Sequence, residues 1–370
     1  MLKKLEPYFL DLINEKKTCF LASLLKIFLL GLSWIYLAVV FCRNWAFDHG
    51  WLRRYSPPVP VVISIGNIVA GGTGKTPVTL LLAQTFYKEA ILAILSRGYR
   101  SKAENLRAPI VLSRGEGPMH PASFCGDEPY MLAQNLPNVF IYVGKDRHQS
   151  SNMAAKAGVQ IILLDDGMQH RRLARDFEVV VMDAGDPFGK GYHLPRGFLR
   201  EGLQSLSRAD IIVLNHVTDR EKFFKIKEQI AKYSAAPIVG TFAKVEAVLD
   251  LNGQAAGELK KKRLGLFCGI AHPDYFEKTI QTLGAEIINR HIIPDHMNFE
   301  AEALLNFSKV CALQGADALV CTEKDRVKLV DPLDLALPVV WIRMRLEFVE
   351  GQNLWEDFTQ KVKSDLGKRI

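Results

Sequence analysis

Apolar runs of strand length alternate with helical patterns in the part of the chain that follows Pro57-Pro58. Within each run the apolar residues are continuous, which is typical of strands buried on both faces and therefore of a largely parallel sheet covered by helices. Ligands of such sheets bind at the carboxyl ends of the strands. The predicted strands are Val59–Ile65, Ile91–Leu95, Pro109–Leu112, Val139–Val143, Ile161–Leu164, Val179–Met182 and Ile211–Leu214, and the predicted helices are Pro77–Tyr87, Pro129–Leu136 and Ser150–Ala157.

A second and smaller α/β pattern follows the charged segment from Glu258 to Arg263, which we interpret as a linker or a solvated turn. We place the boundary between the two lobes within residues 236–262, so that a core of residues 46–245 precedes a smaller lobe of residues 246–370. Two lobes with a cleft between them are common in enzymes that close on a substrate. The strands predicted for the second lobe are Leu264–Cys268, Ile287–Ile293, Ala318–Cys321 and Val339–Ile342.

Residues 1–45 form a third region, in which Phe20 to Cys42 is almost wholly apolar and Lys26 is the only charged residue. The uninterrupted run from Ile27 to Cys42 is shorter than the roughly 20 residues of a spanning helix. Three interpretations stay open: a helix that crosses a membrane with Lys26 at the interface, a helix that lies on the membrane, and a buried core helix. Aromatic residues that suit the headgroup level favour membrane attachment, namely Trp34, Tyr36 and Trp45.

The most specific chemical pattern lies between Ile63 and Thr76, where an apolar strand pattern breaks into glycines before Lys75, Thr76 and a helical pattern. Glycines let backbone N–H groups turn toward a phosphate, and the helix presents its positive end. Lys75 can reach the outer phosphates of a nucleotide, and the Thr76 hydroxyl can bind Mg²⁺. Val69 occupies the place of the first glycine in the usual motif G-x-x-x-x-G-K-[ST]. The sequence therefore predicts a phosphate-binding loop in a P-loop NTPase-like α/β core.

Carboxylates follow or precede two other predicted elements. Asp165 and Asp166 directly follow the strand Ile161–Leu164, an arrangement that holds Mg²⁺ opposite a phosphate loop. Adjacent strand residues point to opposite faces, so we expect Asp165 on the metal side and a different task for Asp166. Asp127 and Glu128 lie at the start of a helical pattern, where Asp127 is either an N-cap or a functional carboxylate.

Basic and polar clusters also follow several of the predicted strands. They are Ser96 to Arg100, Gln169 to Arg172 and Leu194 to Glu201. Several such clusters at the strand ends of one sheet are better explained by a polyanionic ligand than by a solvated surface. In the second lobe, His296 follows Asp295. A lone histidine is usually a packed or surface residue, and the adjacent carboxylate only modestly raises the odds of proton transfer.

Composition and charge restrict the classes of protein further. The chain has 370 residues, of which 48% are hydrophobic, so it is long and apolar enough for sizeable cores. A net charge of +7 indicates an anionic partner and does not by itself choose among a nucleotide, a nucleic acid and an acidic membrane. The six cysteines form no C-x-x-C pair and have no ligand-like spacing to histidine, so the sequence supports neither a disulfide framework nor a zinc site and fits a reducing compartment best.

The chain resembles the tetraacyldisaccharide 4'-kinase family in motifs that occur in order from about Pro57 to Leu329. This resemblance implies an enzyme of lipid A biosynthesis that uses ATP and Mg²⁺ to phosphorylate the 4' hydroxyl of a tetraacylated glucosamine disaccharide 1-phosphate. It also implies that the apolar N-terminal helix attaches the enzyme to the cytoplasmic face of the bacterial inner membrane. The motifs are GNIVAGGTGKTP, SRGYRS, GDEPYMLA, KDR, DDGMQHRRLARD, LPRGFLRE, FCGIAHP, PDHMNF and TEKDRVKL.

Position by position, the resemblance implies three groups of site residues. The catalytic group is Asp127 with His296 as its partner, and Lys75 acts on the outer phosphates. The residues that cradle the ATP phosphates are Val69, Ala70, Gly71, Gly72, Thr73, Gly74, Lys75 and Thr76. The groups around Mg²⁺ are Thr76, Glu128, Asp165 and Asp166, and the contacts to nucleotide phosphates or to the lipid headgroup are Tyr99, Arg147, Gln169, His170 and Arg200.

Two positions depart from the family pattern, because Met168 stands where phenylalanine is usual and Arg196-Gly197-Phe198 replaces Ala-Gly-Pro. An alternative function is a P-loop switch or assembly ATPase at the membrane, which would use the same loop and the same pair of aspartates. A kinase needs a base for its acceptor hydroxyl, which Asp127 and His296 would supply. We expect the lipid A disaccharide 1-phosphate and the inner-membrane surface as partners and no nucleic acid, and the sequence does not set the oligomeric state.

Overall fold

A computed structural model describes residues 2–295, 297–329 and 334–370 of the chain. These residues form two compact units, each assembled from segments that are far apart in sequence. The first unit contains residues 2–78, 160–242 and 348–370, and the second unit contains the described residues of 79–159 and 243–347. The division into residues 1–45, 46–245 and 246–370 stays a prediction.

The helices are α1 (Leu2–Ile13), α2 (Phe20–Asp48), α3 (Lys75–Phe86), α4 (Ala122–Cys125), α5 (Asp127–Asn135), α6 (Arg147–Lys156), α7 (Arg220–Ile230), α8 (Pro273–Thr282), α9 (Ala301–Leu313), α10 (Glu323–Arg326) and α11 (Gln352–Arg369). The strands are β1 (Val61–Gly66), β2 (Leu92–Ser96), β3 (Ile110–Arg114), β4 (Val139–Val143), β5 (Ile161–Asp165), β6 (Phe177–Asp183), β7 (Ile211–Asn215), β8 (Ile238–Asp250), β9 (Arg263–Cys268), β10 (Glu286–Ile292), β11 (Ala318–Thr322) and β12 (Val339–Glu350).

The first unit is built on a parallel sheet in the order β5, β1, β6, β7 and the start of β8. Every residue of β1, β5, β6 and β7 is buried, as the continuous apolar runs predict. The register pairs Ile65 on β1 with Asp165 on β5. The carboxyl ends of these two strands therefore lie side by side, so the loop after β1 starts next to the aspartate pair.

The second unit contains two groups of strands. In one group, β4 pairs in parallel with β2 and antiparallel with β3, and in the other β9 lies between β10 and β11 with β12 beside β11. Apolar side chains of α8 and α9 pack in two separate core clusters with residues of β9 and β11. The α/β prediction for this part of the chain is confirmed.

Helix α2 has a narrow buried stripe and a wide exposed apolar surface. The buried residues recur at helical spacing and include Leu29, Ser33, Val40 and Phe47. Among the described residues, α2 is the one helix long and apolar enough to cross a membrane. Its exposed large apolar residues are Phe20, Leu21, Leu24, Ile27, Phe28, Leu32, Trp34, Ile35, Val39, Phe41 and Trp45.

Several elements differ from the sequence prediction. Strand β12 continues to Glu350, beyond the predicted end at Ile342, and strand β8 was not predicted at all. Beyond its first four residues, each strand is mostly half-buried and alternates apolar with charged residues, so the continuous apolar run does not extend along it. Helices α7, α8, α9 and α11 were also not predicted, although their buried apolar residues recur at helical spacing.

Candidate active site

The loop between β1 and α3 has the backbone of a phosphate-binding turn. Gly71 and Gly74 have φ angles of +120° and +84°, in the region that favours glycine. A Cβ at Gly71 would meet nothing within 4 Å, whereas a Cβ at Gly74 would collide with the Asn215 side chain. Helix α3 starts at Lys75, directly after the turn, so the N–H groups of its first turn lie next to the loop.

The first part of the loop is paired along its backbone with residues 193–201. The Ala70 N–H donates to the Phe198 carbonyl at 2.7 Å, and the Arg200 N–H donates to the Ile68 carbonyl at 2.7 Å. Val69 forms a bridge with Leu199 and is buried. A valine fits where the motif has glycine because the backbone at this position is strand-like and its φ is not positive.

Buried side chains hold the inside of the loop. The Asn67 amide donates to the Thr73 hydroxyl at 3.0 Å, and the Asn215 amide donates to the Thr73 carbonyl at 3.4 Å. Gln169, an expected phosphate or headgroup contact, donates to the Asn67 carbonyl at 2.9 Å. In this structure Gln169 therefore acts on the loop itself, and Asn215 is a site residue that the sequence reasoning missed.

Lys75, Asp166 and Arg200 form a cluster of charges beside the loop. Asp166 Oδ1 lies 3.5 Å from Lys75 Nζ and 2.8 Å from Arg200 Nη1. Arg200 also donates to Asn67 Oδ1 at 3.0 Å. Burial alone would raise the pKa of Asp166, but Lys75 and Arg200 outweigh it and hold this pKa well below its usual range. Asp166 is therefore a permanent anion that orients two cations.

Asp165 differs from its neighbour in both position and surroundings. It is the last residue of β5 and is 5% exposed, and Thr76 in the first turn of α3 is 8% exposed. Asp166 has a φ of +49°, so the chain has left the strand at that point. Among the described residues, no three His, Cys, Asp or Glu side chains are grouped as a metal site. A site with one or two carboxylates suits Mg²⁺, which takes its remaining ligands from water and phosphates.

A second group of charges lies in the second unit, around the start of α5. Gly126 takes the N-cap position and Asp127 is the first helical residue, so the interpretation of Asp127 as an N-cap is wrong. Asp127 Oδ2 lies 3.8 Å from Lys328 Nζ, and Glu128 Oε1 lies 3.1 Å from Lys324 Nζ. The sequence motif TEKDRVKL contains both lysines, yet it gave no role for either.

The other predicted site residues have the following surroundings. Tyr99 is 56% exposed and packs against the Arg100 guanidinium. Arg147 is buried and donates to the Gly144 carbonyl at 2.5 Å. The His170 carbonyl accepts from Arg175 at 2.5 Å. His296 lies outside the described residues.

The two departures from the family pattern are both packed inside the first unit. Met168 is fully buried and touches the backbone of Gly66 at the end of β1. Arg196 is 7% exposed, pairs with Glu15 at 3.1 Å and lies over the Tyr192 ring. Arg196 therefore serves the packing of the 193–201 segment.

Comparisons with known proteins agree with this arrangement. The model of the family described as tetraacyldisaccharide-1-P 4'-kinase matches residues 25–363. The chain is 33% identical to a tetraacyldisaccharide 4'-kinase of Halothermothrix orenii over 89% of each chain. It is 38% identical to the enzyme of that name from Anaeromyxobacter dehalogenans over 85% of this chain and 84% of the other. A crystal structure of the "apo" form of LpxK from Aquifex aeolicus in complex with ATP matches with a TM-score of 0.71 and 26% identity, covering 91% of this chain and 99% of the other.

Proposed function

This chain belongs to the tetraacyldisaccharide 4'-kinase family, and from that premise we propose how its residues carry out the reaction. The protein is a kinase of lipid A biosynthesis that transfers phosphate from ATP to the 4' hydroxyl of a tetraacyldisaccharide 1-phosphate. The observation that carries the assignment of roles is the loop from Ile68 to Lys75, whose glycines, paired backbone and helix start form a phosphate cradle.

The cradle binds the ATP phosphates through backbone N–H groups between Gly71 and Thr76, since the Ala70 N–H already donates to the Phe198 carbonyl. Lys75 contacts the outer phosphates, where its charge stabilises the phosphoryl group during transfer. Asp166 keeps the Lys75 ammonium beside the loop at 3.5 Å, and Arg200 adds a second cation at the same carboxylate. The site therefore holds two positive charges ready before a nucleotide arrives.

Thr76 and Asp165 would hold Mg²⁺, because a hydroxyl and a buried carboxylate are hard oxygen ligands at the cradle. When bound, the ion would neutralise charge on the phosphate oxygens. Asp166 and Glu128, the other groups expected around the ion, already pair with cationic side chains. We therefore propose that Asp166 orients Lys75 and Arg200, and that Glu128 pairs with Lys324, rather than that either carboxylate binds Mg²⁺.

Asp127 accepts the proton of the acceptor hydroxyl as that oxygen attacks the γ-phosphorus. It is 14% exposed, so it can reach substrate, and its Oδ2 lies 3.8 Å from Lys328 Nζ. The proton moves from the sugar oxygen to an Asp127 carboxylate oxygen, while the electrons of the broken bond stay on ADP. The pairing of Asp127 with His296 stays a prediction.

We place the enzyme at the cytoplasmic face of the inner membrane, attached by α2. The exposed apolar side chains of this helix cover its outer surface, and such a large apolar patch is unusual on a protein surrounded only by water. Trp34 and Trp45 add the aromatic residues typical of the headgroup level. The attachment brings the site to the layer in which an acylated substrate resides.

The decisive experiment follows label from [γ-³²P]ATP into purified tetraacyldisaccharide 1-phosphate. We expect label in a product phosphorylated at the 4' position, and no ATP consumption above background without the lipid. A P-loop switch or assembly ATPase would instead release labelled inorganic phosphate whether or not the lipid is present. Such release, with no labelled lipid, would overturn the kinase assignment.

A further inference from the structure

The lysine pair Lys324 and Lys328 contacts the two adjacent carboxylates at the start of α5. Lys328 Nζ lies 3.8 Å from Asp127 Oδ2, and Lys324 Nζ lies 3.1 Å from Glu128 Oε1. The lysines are separated by one helical turn in sequence, while the carboxylates are neighbours. We propose that the lysine pair positions Asp127 for its reaction with the acceptor hydroxyl, an inference that rests on the proposed function.

Lys328 is fixed from three sides. Its side chain is fully buried, and its ammonium donates to the Gly269 carbonyl at 3.1 Å and to Asp325 Oδ1 at 3.0 Å. An ammonium has three donors, so one remains to face Asp127. Because these hydrogen bonds hold the Lys328 ammonium in place, Lys328 sets the position of the Asp127 carboxylate that pairs with it.

Asp325 is held as firmly as Lys328. It is also fully buried, accepts the Gly269 N–H at 2.9 Å and receives the Thr322 hydroxyl at 2.6 Å. The residues of this network lie at the end of β11, directly after β9, in α10 and shortly after it. The position of Lys328 is therefore set by the fold.

Lys324 pairs with Glu128, the residue that follows Asp127 in the chain. It bridges Glu128 and Asp295, with Asp295 Oδ1 at 3.0 Å. Burial alone would lower the pKa of Lys324, but Glu128 and Asp295 raise it above its usual value, so the bridge stays charged. The bridge fastens the start of α5 to the residue that precedes His296 in the chain.

The far end of α5 is held by the same segment. Asn135 donates to Glu323 at 2.7 Å, and Arg326 donates to Gln134 at 3.1 Å. Four contacts therefore connect α5 with residues 323–328 along its whole length. Buried ion pairs often contribute little net stability compared with apolar packing, so stability alone is a weak reason for this network.

The cysteine thiols near the lysine pair are neutral at physiological pH. Burial raises the pKa of the Cys125 and Cys268 thiols to about 12 and also raises that of Cys321. These thiols therefore add no charge at Asp127, whose carboxylate lies 3.8 Å from Lys328 Nζ.

The test is a double-mutant cycle that combines Asp127→Asn with a neutral pair, Lys328→Met plus Asp325→Asn. The neutral pair removes both buried charges at once, which is tolerated better than leaving one of them unpaired. We expect it to lower kcat by about tenfold or more, a part of the roughly 10²- to 10⁴-fold that general base catalysis contributes. The KM values for ATP and lipid acceptor should change by less than about twofold.

In the Asp127→Asn background the neutral pair should have no further effect on kcat, since the lysine acts through the carboxylate. Lys368→Met plus Asp365→Asn is the matched control, because this pair has the same three-residue spacing but is exposed. The control should keep wild-type kcat. An equal loss of kcat in both backgrounds, or none in either, overturns the proposal.

Lys324→Met provides a second arm if the neutral pair does not fold. This lysine is 16% exposed, and its replacement should again lower kcat only when Asp127 is present. A loss that persists in the Asp127→Asn background overturns the role of Lys324. If Asp127→Asn alone keeps wild-type kcat, the base role under the proposed function fails, which is distinguishable from a failure of the lysine pair.

Discussion

At the scale of single residues, the charge next to the phosphate loop is shared among three side chains. Asp166 contacts Lys75 at 3.5 Å and Arg200 at 2.8 Å, and its low pKa keeps it ionised throughout the physiological range. Its carboxylate therefore offsets part of the repulsion between two cations that must both face phosphate. A bound nucleotide would meet these cations already in place.

We expect Lys75→Met to lower kcat by about 10²- to 10³-fold or more, because the ammonium stabilises charge that develops on the transferring group. Nucleotide should still bind, since the glycine turn and the helix start are unchanged. Phosphoryl transfer and nucleotide affinity are measured on the same preparation, with Lys88→Met, a substitution outside the loop, as the control. Wild-type turnover in Lys75→Met would remove the assignment of the phosphate loop.

Asp127→Ala and His296→Ala should each lower kcat strongly and leave ATP affinity nearly unchanged. If the two residues act as one unit, the double variant loses much less than the product of the single losses. The measurement is a double-mutant cycle in kcat with saturating ATP. Multiplicative losses would show two independent roles, and normal kcat in His296→Ala would disprove the partnership.

The residues of the site differ in how far the sequence alone could predict them. Lys75 and Thr76 were identifiable from the spacing of the phosphate-loop motif, and Asp165 from its place directly after an apolar strand. Asn215 directly follows an apolar strand run, which is a usable but weak signal. Lys328 was not predictable, because a lysine usually lies on the surface and only the fold shows that this one is buried.

At the scale of elements, α2 makes specific polar contacts in addition to its apolar surface. The buried Ser33 hydroxyl donates to the His193 carbonyl at 2.8 Å and accepts the Arg196 N–H at 3.0 Å. Tyr36 donates to the Arg200 carbonyl at 3.0 Å, and Asn44 donates to Glu201 at 3.0 Å. The 193–201 segment is thus held by α2 on one side and by the phosphate loop on the other.

Ser33→Ala should destabilise the protein by about 1–3 kcal/mol, because it leaves buried backbone groups without a partner. Ser23→Ala is the control, since Ser23 is exposed on the same helix and its hydroxyl contacts only the Cys19 carbonyl one turn earlier. Denaturant unfolding in detergent measures both variants. Equal stabilities for the two would show that the Ser33 contacts contribute nothing.

Strands whose apolar residues follow one clear pattern along their whole length were predictable from the sequence, and strands with a changing pattern were not. The buried strands β1, β5, β6 and β7 have continuous apolar runs, and their prediction is confirmed. Strand β8 changes from fully to partly buried along its length, so no single pattern describes it. The local sequence cannot show such a change, because it depends on what the fold packs against each part of the strand.

At the scale of the whole molecule, each of the two units contains functional residues from separate stretches of the chain. The first unit contains the phosphate loop, Asp165, Asp166 and α2, and the second contains Asp127 and the lysine pair. Each unit therefore contains residues from segments that are far apart in sequence.

Replacing outer residues of α2 should release the protein from membranes while its catalytic machinery stays intact. Phe28, Ile35 and Val39 are each more than 60% exposed, and Phe28→Ser, Ile35→Ser and Val39→Ser together remove a large apolar area without touching Ser33 or Tyr36. We expect a lower membrane-bound fraction in flotation assays and unchanged nucleotide affinity. Full recovery with membranes would place the anchor elsewhere.

The two-sided attachment of the 193–201 segment has a consequence for how such enzymes can be recombined. A foreign membrane anchor grafted in place of α2 would still deliver the protein to a bilayer, but it would not present a serine to His193 and Arg196 or a tyrosine to Arg200. The proposed anchor and the nucleotide site are therefore coupled through the 193–201 segment. We expect functional chimeras between relatives to require the exchange of residues 20–48 together with residues 193–201.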